Sequence, residues 1–151
     1  MVENKYEKSG NVGMSGEALV LACLLKHGHV ATLTYKNTKN FDILACTKDG
    51  DKMFAIQVKS SGTTDKFIIP DTAAPYMEKP NTFFAMPILD KGIVIWIPGV
   101  DMANYIKANP ITYSPRTVVL SKAFGITTEN IEVLEGGNKP TYYRGQNGCP
   151  L

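Results

Sequence analysis

Residues 41–60 read FDILACTKDGDKMFAIQVKS. Two apolar runs flank the polar step Lys48-Asp49-Gly50-Asp51. Asp-Gly between such runs is a strong short-range hairpin signal, because a tight turn needs the left-handed backbone that these residues tolerate. The stretch therefore predicts strands over 41–47 and 52–59. With the turn centred on Asp49 and Gly50, residues whose numbers sum to about 99 face each other, which sets Asp42 opposite Gln57. Alternation gives Phe54, Ile56 and Val58 one face, and Ala55, Gln57 and Lys59 the other. Asp42 is expected on the face of Leu44 and Cys46. A carboxylate, an amide and an ammonium thus stand in strands whose flanks read as core.

Upstream, Met14-Ser15-Gly16-Glu17 leads into ALVLACLLKHG. This predicts a helix capped by Ser15, with Met14 stapled to Leu19 and Gly28 closing the end. The helix is apolar nearly all round and is expected to lie buried against a sheet. Glu17 is the one charge between Met14 and Leu25. A strand is predicted over 30–35. Downstream, 82–89 and 93–97 predict a second hairpin turning at Asp90-Lys91-Gly92, and 100–108 a helix ended by Asn109-Pro110. Residues 117–134 are open between short strands and helical turns. The order of helix, three strands, a loop, two strands and helix is that of an α/β domain with a mixed sheet. One domain over 13–136 is expected, with a loose N-terminus over 1–12 and a tail over 137–151.

The chain has 151 residues, 44% hydrophobic and 20% charged, with a net charge of +2. That composition excludes a disordered tail, a collagen, a disulfide scaffold and a membrane bundle. The longest unbroken apolar run, 18–25, is far short of the roughly 20 residues that a membrane span needs. Cys23, Cys46 and Cys149 are scattered and form no CxxC, as expected of reduced thiols in the cytoplasm. His27 and His29 read as residues of a helix end rather than ligands. The basic residues are lysines apart from Arg116 and Arg144, so base-edge readout is not advertised.

Burying charged groups costs several kcal/mol or so unless they are paired or ligate an ion. Two carboxylates and an amide oxygen about one point make a hard-oxygen site suited to Mg2+ or Mn2+. A lysine beside it can hold an attacking water. The set Glu17, Asp42, Gln57 and Lys59 therefore suits phosphodiester hydrolysis. Each member also has a plainer reading. Glu17 in a first turn is favoured by the helix dipole. Asp42 and Lys59 make a cross-strand ion pair. Gln57 is a polar residue on an open sheet face. Ser60 and Ser61 are placed to hold a phosphate, or simply form the loop leaving the strand. Lys36 and Lys39 are placed to touch a nucleic-acid backbone, or stand in solvent.

At Gly16-Glu17, Asp42 and Gln57-Val58-Lys59 the chain resembles the PD-(D/E)XK nuclease superfamily. It is most similar in flavour to archaeal Holliday-junction resolvases and small bacterial restriction-endonuclease-like proteins. The resemblance spans 13–62, and 83–108 agree in outline. It implies a restriction-endonuclease-like three-layer core, with a mixed sheet of about four or five strands flanked by helices. It implies a Mg2+- or Mn2+-dependent endodeoxyribonuclease acting on DNA, commonly as a homodimer. Asp42, Glu17 and Gln57 would hold the metal, the Val58 carbonyl would be a further ligand, and Lys59 would orient or activate the water. Gln57 stands where the family usually has an acid, and its neutral oxygen implies weaker metal binding. Phe41 stands where the family often has proline or a small residue. Two other readings stay open: a non-catalytic module on the same fold that binds nucleic acid or protein, and an accessory or immunity-type interaction protein of unrelated α/β fold.

Overall fold

A computed structural model describes residues 5–35, 40–70, 78–112, 115–125 and 143–144, with side chains from residue 10 onward except at 143–144. Its first element is helix α1 (Lys5–Lys26). The helix buries one stripe, Gly16, Val20, Cys23 and Leu24, whose spacing keeps them on one side. Met14 and Leu25 are exposed at 71% and 53%. The expectation of a helix buried all round is therefore corrected, because the sheet lies under one side only. Its start is corrected too. Ser15 lies well inside the helix rather than at its cap, and Met14 forms no terminal staple. The far end is as expected. Gly28 adopts φ 85°, Gly28 N–H donates to Leu25 O at 3.0 Å and His29 N–H to Leu24 O at 3.1 Å. This paired pattern satisfies the last carbonyls.

Strands β1 (Val30–Leu33), β2 (Ile43–Cys46), β3 (Met53–Val58), β4 (Lys66–Ile69), β5 (Thr82–Ile88), β6 (Ile93–Pro98), β7 (Arg116–Val119) and β8 (Tyr143–Arg144) follow. Six form one sheet in the order β1-β2-β3-β5-β6-β8, and β4 with β7 forms a separate ribbon. Among the described strands of the larger sheet, β3 and β5 pair in parallel and the other neighbours antiparallel. The β2–β3 turn is tied where the sequence puts it: Thr47 N–H donates to Lys52 O at 2.9 Å, Thr47 Oγ1 bonds Asp49 Oδ1 at 2.7 Å, and Gly50 takes φ 79°. Past β3 the backbone stays aligned with β5. Lys59 N–H donates to Ala85 O and Ser61 N–H to Pro87 O, both at 2.9 Å.

Helix α2 (Gly99–Ala108) follows β6, and a short helix α3 (Leu120–Phe124) follows β7. The core divides at the sheet. On one face Val20, Cys23 and Leu24 of α1 meet Ile43, Ala45, Ile56, Val58, Ala85, Val94 and Trp96. On the other, Met102, Ala103 and Ile106 of α2 join Phe67, Ile69 and Val118 of the ribbon over Phe84, Met86, Ile95 and Ile97. This is the three-layer mixed α/β architecture expected from the sequence. Strand β4, in a stretch expected to be loop, is the addition. Trp96 is a core residue, fully buried.

The face of β1–β3 turned away from α1 is open at its outer end. Val30, Cys46 and Met53 stand in line across three strands, and Thr32, Leu44 and Ala55 form the next line. Val30, Met53 and Leu44 are 60%, 71% and 45% exposed. Among the described residues, no helix is long and apolar enough to cross a membrane.

Ile56, fully buried between β2, β5 and α1, is expected to cost about 2–5 kcal/mol when truncated to alanine. Leu44→Ala, on the open face beside it, is expected to stay within about 0.5 kcal/mol. Urea unfolding of the two variants measures the contrast, and equal losses would contradict this placement of the core.

Candidate metal centre

The hairpin register holds for four pairs, from Cys46 with Met53 to Ile43 with Ile56. It then breaks at Asp42. The Asp42 N–H donates to the Ile56 carbonyl at 2.9 Å, although Ile56 already faces Ile43. Two residues of the entering strand thus oppose one, the signature of a β-bulge. Packing shows the same break. Ile43 belongs to the core under α1, whereas Phe41 packs against the core on the other face. Plain alternation would have put both on one face. The expected direct pairing of Asp42 with Gln57, and the shared face with Leu44 and Cys46, are therefore corrected. The bulge turns Asp42 to the end of β2, between the two faces.

Asp42 is held there at three points. Its N–H is taken by Ile56, its carbonyl accepts the Thr34 N–H at 2.9 Å, and its Oδ2 accepts the Val58 N–H at 2.7 Å. Thr34 Oγ1 also donates to Phe41 O at 2.8 Å. Nothing in the sequence singles out Thr34 beyond its place at the end of the first strand, beside Asp42. Because the N–H and C=O of one strand residue leave on the same side, the Val58 carbonyl is directed toward the Asp42 side.

Glu17 comes to this place from α1. It lies more than three turns inside a helix that starts at Lys5, so the helix-dipole reading no longer explains it. Burial, and then the nearby Asp42 carboxylate, push its pKa above the ordinary 4.5. Two half-buried carboxylates thus share a neighbourhood, and among the described residues no ion pair relieves either. Lys59 makes no ion pair with Asp42, which removes the cross-strand salt-bridge reading as well.

Gln57 lies beside Phe84 of β5 on the strand face opposite Ile56 and Val58. Its Oε1 is buried and accepts no hydrogen bond. An oxygen left so costs about 1–3 kcal/mol, and such atoms are rare without a reason. The two carboxylates fit a divalent cation in kind, carrying two negative charges, whereas the Gln57 side chain leaves β3 on the face turned from α1. Among the described residues, no three of His, Cys, Asp and Glu gather at one point. A cation here would therefore need a further donor that is none of these four residue types.

The remaining candidates take other places. Ser61 gives its N–H to the sheet, and its Oγ accepts the Thr64 N–H at 3.2 Å. Ser60 is half-buried against α1. Lys36 and Lys39 lie outside the described residues.

The raised Glu17 pKa has a thermodynamic sign. A carboxyl whose folded pKa exceeds its unfolded value favours folding most below the unfolded value, and that contribution is lost as pH rises through the folded pKa. Glu17→Gln is therefore expected to stabilise the protein at neutral pH, with the gain shrinking to nothing below the ordinary glutamate range. Urea unfolding from about pH 4 to pH 8 checks this, and a destabilised variant at pH 7 would refute the crowded-carboxylate geometry.

No protein-family model and no curated protein matches this sequence. Among solved structures, the chain is similar to a bacterial homing endonuclease, I-Ssp6803I, with 16% identity and a TM-score of 0.49 over 83% of this chain and 91% of that one. A likeness at this level assigns no activity to the chain.

Proposed function

We propose that the chain is a metal-dependent nuclease that hydrolyses DNA phosphodiester bonds at Glu17, Asp42, Gln57 and Lys59. The observation that carries this reading is the approach of two half-buried carboxylates, Glu17 and Asp42, with no ion pair among the described residues, at the strand end next to Lys59. A fold that gained nothing from this pair would do better with a neutral residue at one of the positions. A divalent cation reverses that balance, because its charge matches theirs.

Glu17 and Asp42 would hold Mg2+ or Mn2+, with the Gln57 oxygen and the Val58 carbonyl completing the shell. A bound cation would polarise the phosphoryl oxygens and lower the pKa of a bound water. The chain supplies the rest. Asp42, fixed by Ile56, Thr34 and Val58, stays in one place as charge develops nearby. The Lys59 ammonium, in no ion pair among the described residues, is available to orient the attacking water and to offset charge on the phosphate. Its backbone is pinned to Ala85, which fixes where the side chain leaves the strand. With Gln57 in place of an acid, metal binding is expected to be weaker than at a three-carboxylate site. On duplex DNA this reading takes a homodimer, with one site for each strand.

Purified protein incubated with plasmid, single-stranded and branched DNA, with Mg2+, Mn2+ or chelator, tests the reading. Cutting is expected to need metal and to fall by roughly 10²-fold or more in Lys59→Ala and Asp42→Ala. Mn2+ is expected to raise the melting temperature of the wild type and not of Asp42→Ala, and Gln57→Glu to tighten Mn2+ binding. Metal-dependent cutting that survives both alanine substitutions would sink the assignment. DNA binding without cutting of any substrate would replace it with the non-catalytic module.

A further inference from the structure

Three glycines punctuate the described part of α1, and only one of them needs to be glycine. A β-carbon at Gly10 or Gly13 would meet nothing within 4 Å. At Gly16 it would fall 1.7 Å from Ser60 Oγ, 2.7 Å from Ser60 Cβ and 3.0 Å from Pro87 Cγ. Glycine inside a helix is ordinarily a cost relative to alanine, so this position is explained by space and not by helix formation. Rotating the serine hydroxyl relieves the first contact. It cannot relieve the second, because Ser60 Cβ is fixed to a backbone pinned on both sides. Lys59 N–H is bonded to Ala85 O and Ser61 N–H to Pro87 O, each at 2.9 Å. The element that must yield is the helix.

The neighbours of these two residues in sequence are the point. Gly16 precedes Glu17, and Ser60 follows Lys59. We infer that Gly16 and Ser60 are positioning residues, whose backbone-to-side-chain contact sets how closely the Glu17 carboxylate of α1 approaches Asp42 and Lys59 on the sheet. The inference rests on the metal-site reading for its purpose, though not for its geometry. Any side chain at position 16 lifts α1 off the end of β3 and carries Glu17 with it, while Asp42, tied to Ile56, Thr34 and Val58, stays behind.

Four proteins test this: wild type, Gly16→Ala, Gly16→Ala with Ser60→Gly, and Gly13→Ala as a glycine replacement with free space. Calorimetric titration with Mn2+ is expected to show binding weakened roughly 10- to 100-fold in Gly16→Ala, the range seen when the support of a metal ligand is lost. The double variant is expected to recover most of it, and Gly13→Ala to bind as wild type does. Crystal structures are expected to show a wider Glu17–Asp42 separation in Gly16→Ala and its restoration in the double variant. Native separation and native Mn2+ affinity in Gly16→Ala would overturn the inference. So would a double variant as impaired as the single one. If Gly16→Ala fails to fold, Ser60→Thr crowds the same contact from the strand side and is read in the same two ways. If the wild type binds no Mn2+, the metal reading falls, and the crystallographic separation still decides whether Gly16 and Ser60 set the approach.

Discussion

The bulge at Asp42 is the constraint on which the rest of the site depends. A regular strand offers only two directions for a side chain, toward one layer or the other. Helix α1 brings Glu17 from one layer, and alternation along β3 sends Gln57 toward the other. A regular β2 would turn Asp42 wholly toward one of these layers. The extra residue opposite Ile56 supplies a third direction, along the sheet and past the end of β2. The cost of leaving the ladder is offset by the side chain itself, which takes the Val58 N–H that a paired backbone carbonyl would otherwise have accepted. Asp42 is therefore a structural acceptor and a candidate ligand at once, with Oδ2 committed to the fold.

Stability and site chemistry pull against each other at Glu17. Desolvation and a like charge both disfavour its ionised form. Lys59 sits close in sequence to the acceptor strand, yet it forms no pair with Asp42. The simplest way to stabilise this end of the sheet, a salt bridge across it, is not taken. Strain of this electrostatic kind concentrates where charge is meant to be met by something from outside the chain.

Much of the frame was legible from local signals. The Asp49-Gly50 turn, the register of four pairs and the buried face of Phe54, Ile56 and Val58 followed from spacing alone, because a hairpin closes over a few residues. So did α2 and the β5–β6 hairpin. Three features did not follow. Strand β4 pairs with β7, so its evidence lies far along the chain rather than beside it. Helix α1 extends back to Lys5 through residues too polar to show an apolar stripe. The bulge depends on Phe41 finding its pocket on the opposite face, a tertiary choice that no alternation count reveals. For the candidate site, the residue types were legible and the approach of Glu17 to Asp42 was expected. The missing Lys59–Asp42 pair and the tight space at Gly16 needed coordinates.

The parallel pairing of β3 with β5, Ala55 with Thr82 through Val58 with Ala85, has a kinetic consequence. The hairpins on either side of it close over short turns and can form early. Joining them requires a long excursion through β4, and the entropy of closing that loop is lost before any contact rewards it. Lys59 and Ser60 are fixed only when that joint is made, since Ala85 and Pro87 are what pin their backbone. The end of the sheet that holds Lys59 and Ser60 is thus expected to take shape late, and partly folded chains would present neither residue in its final place.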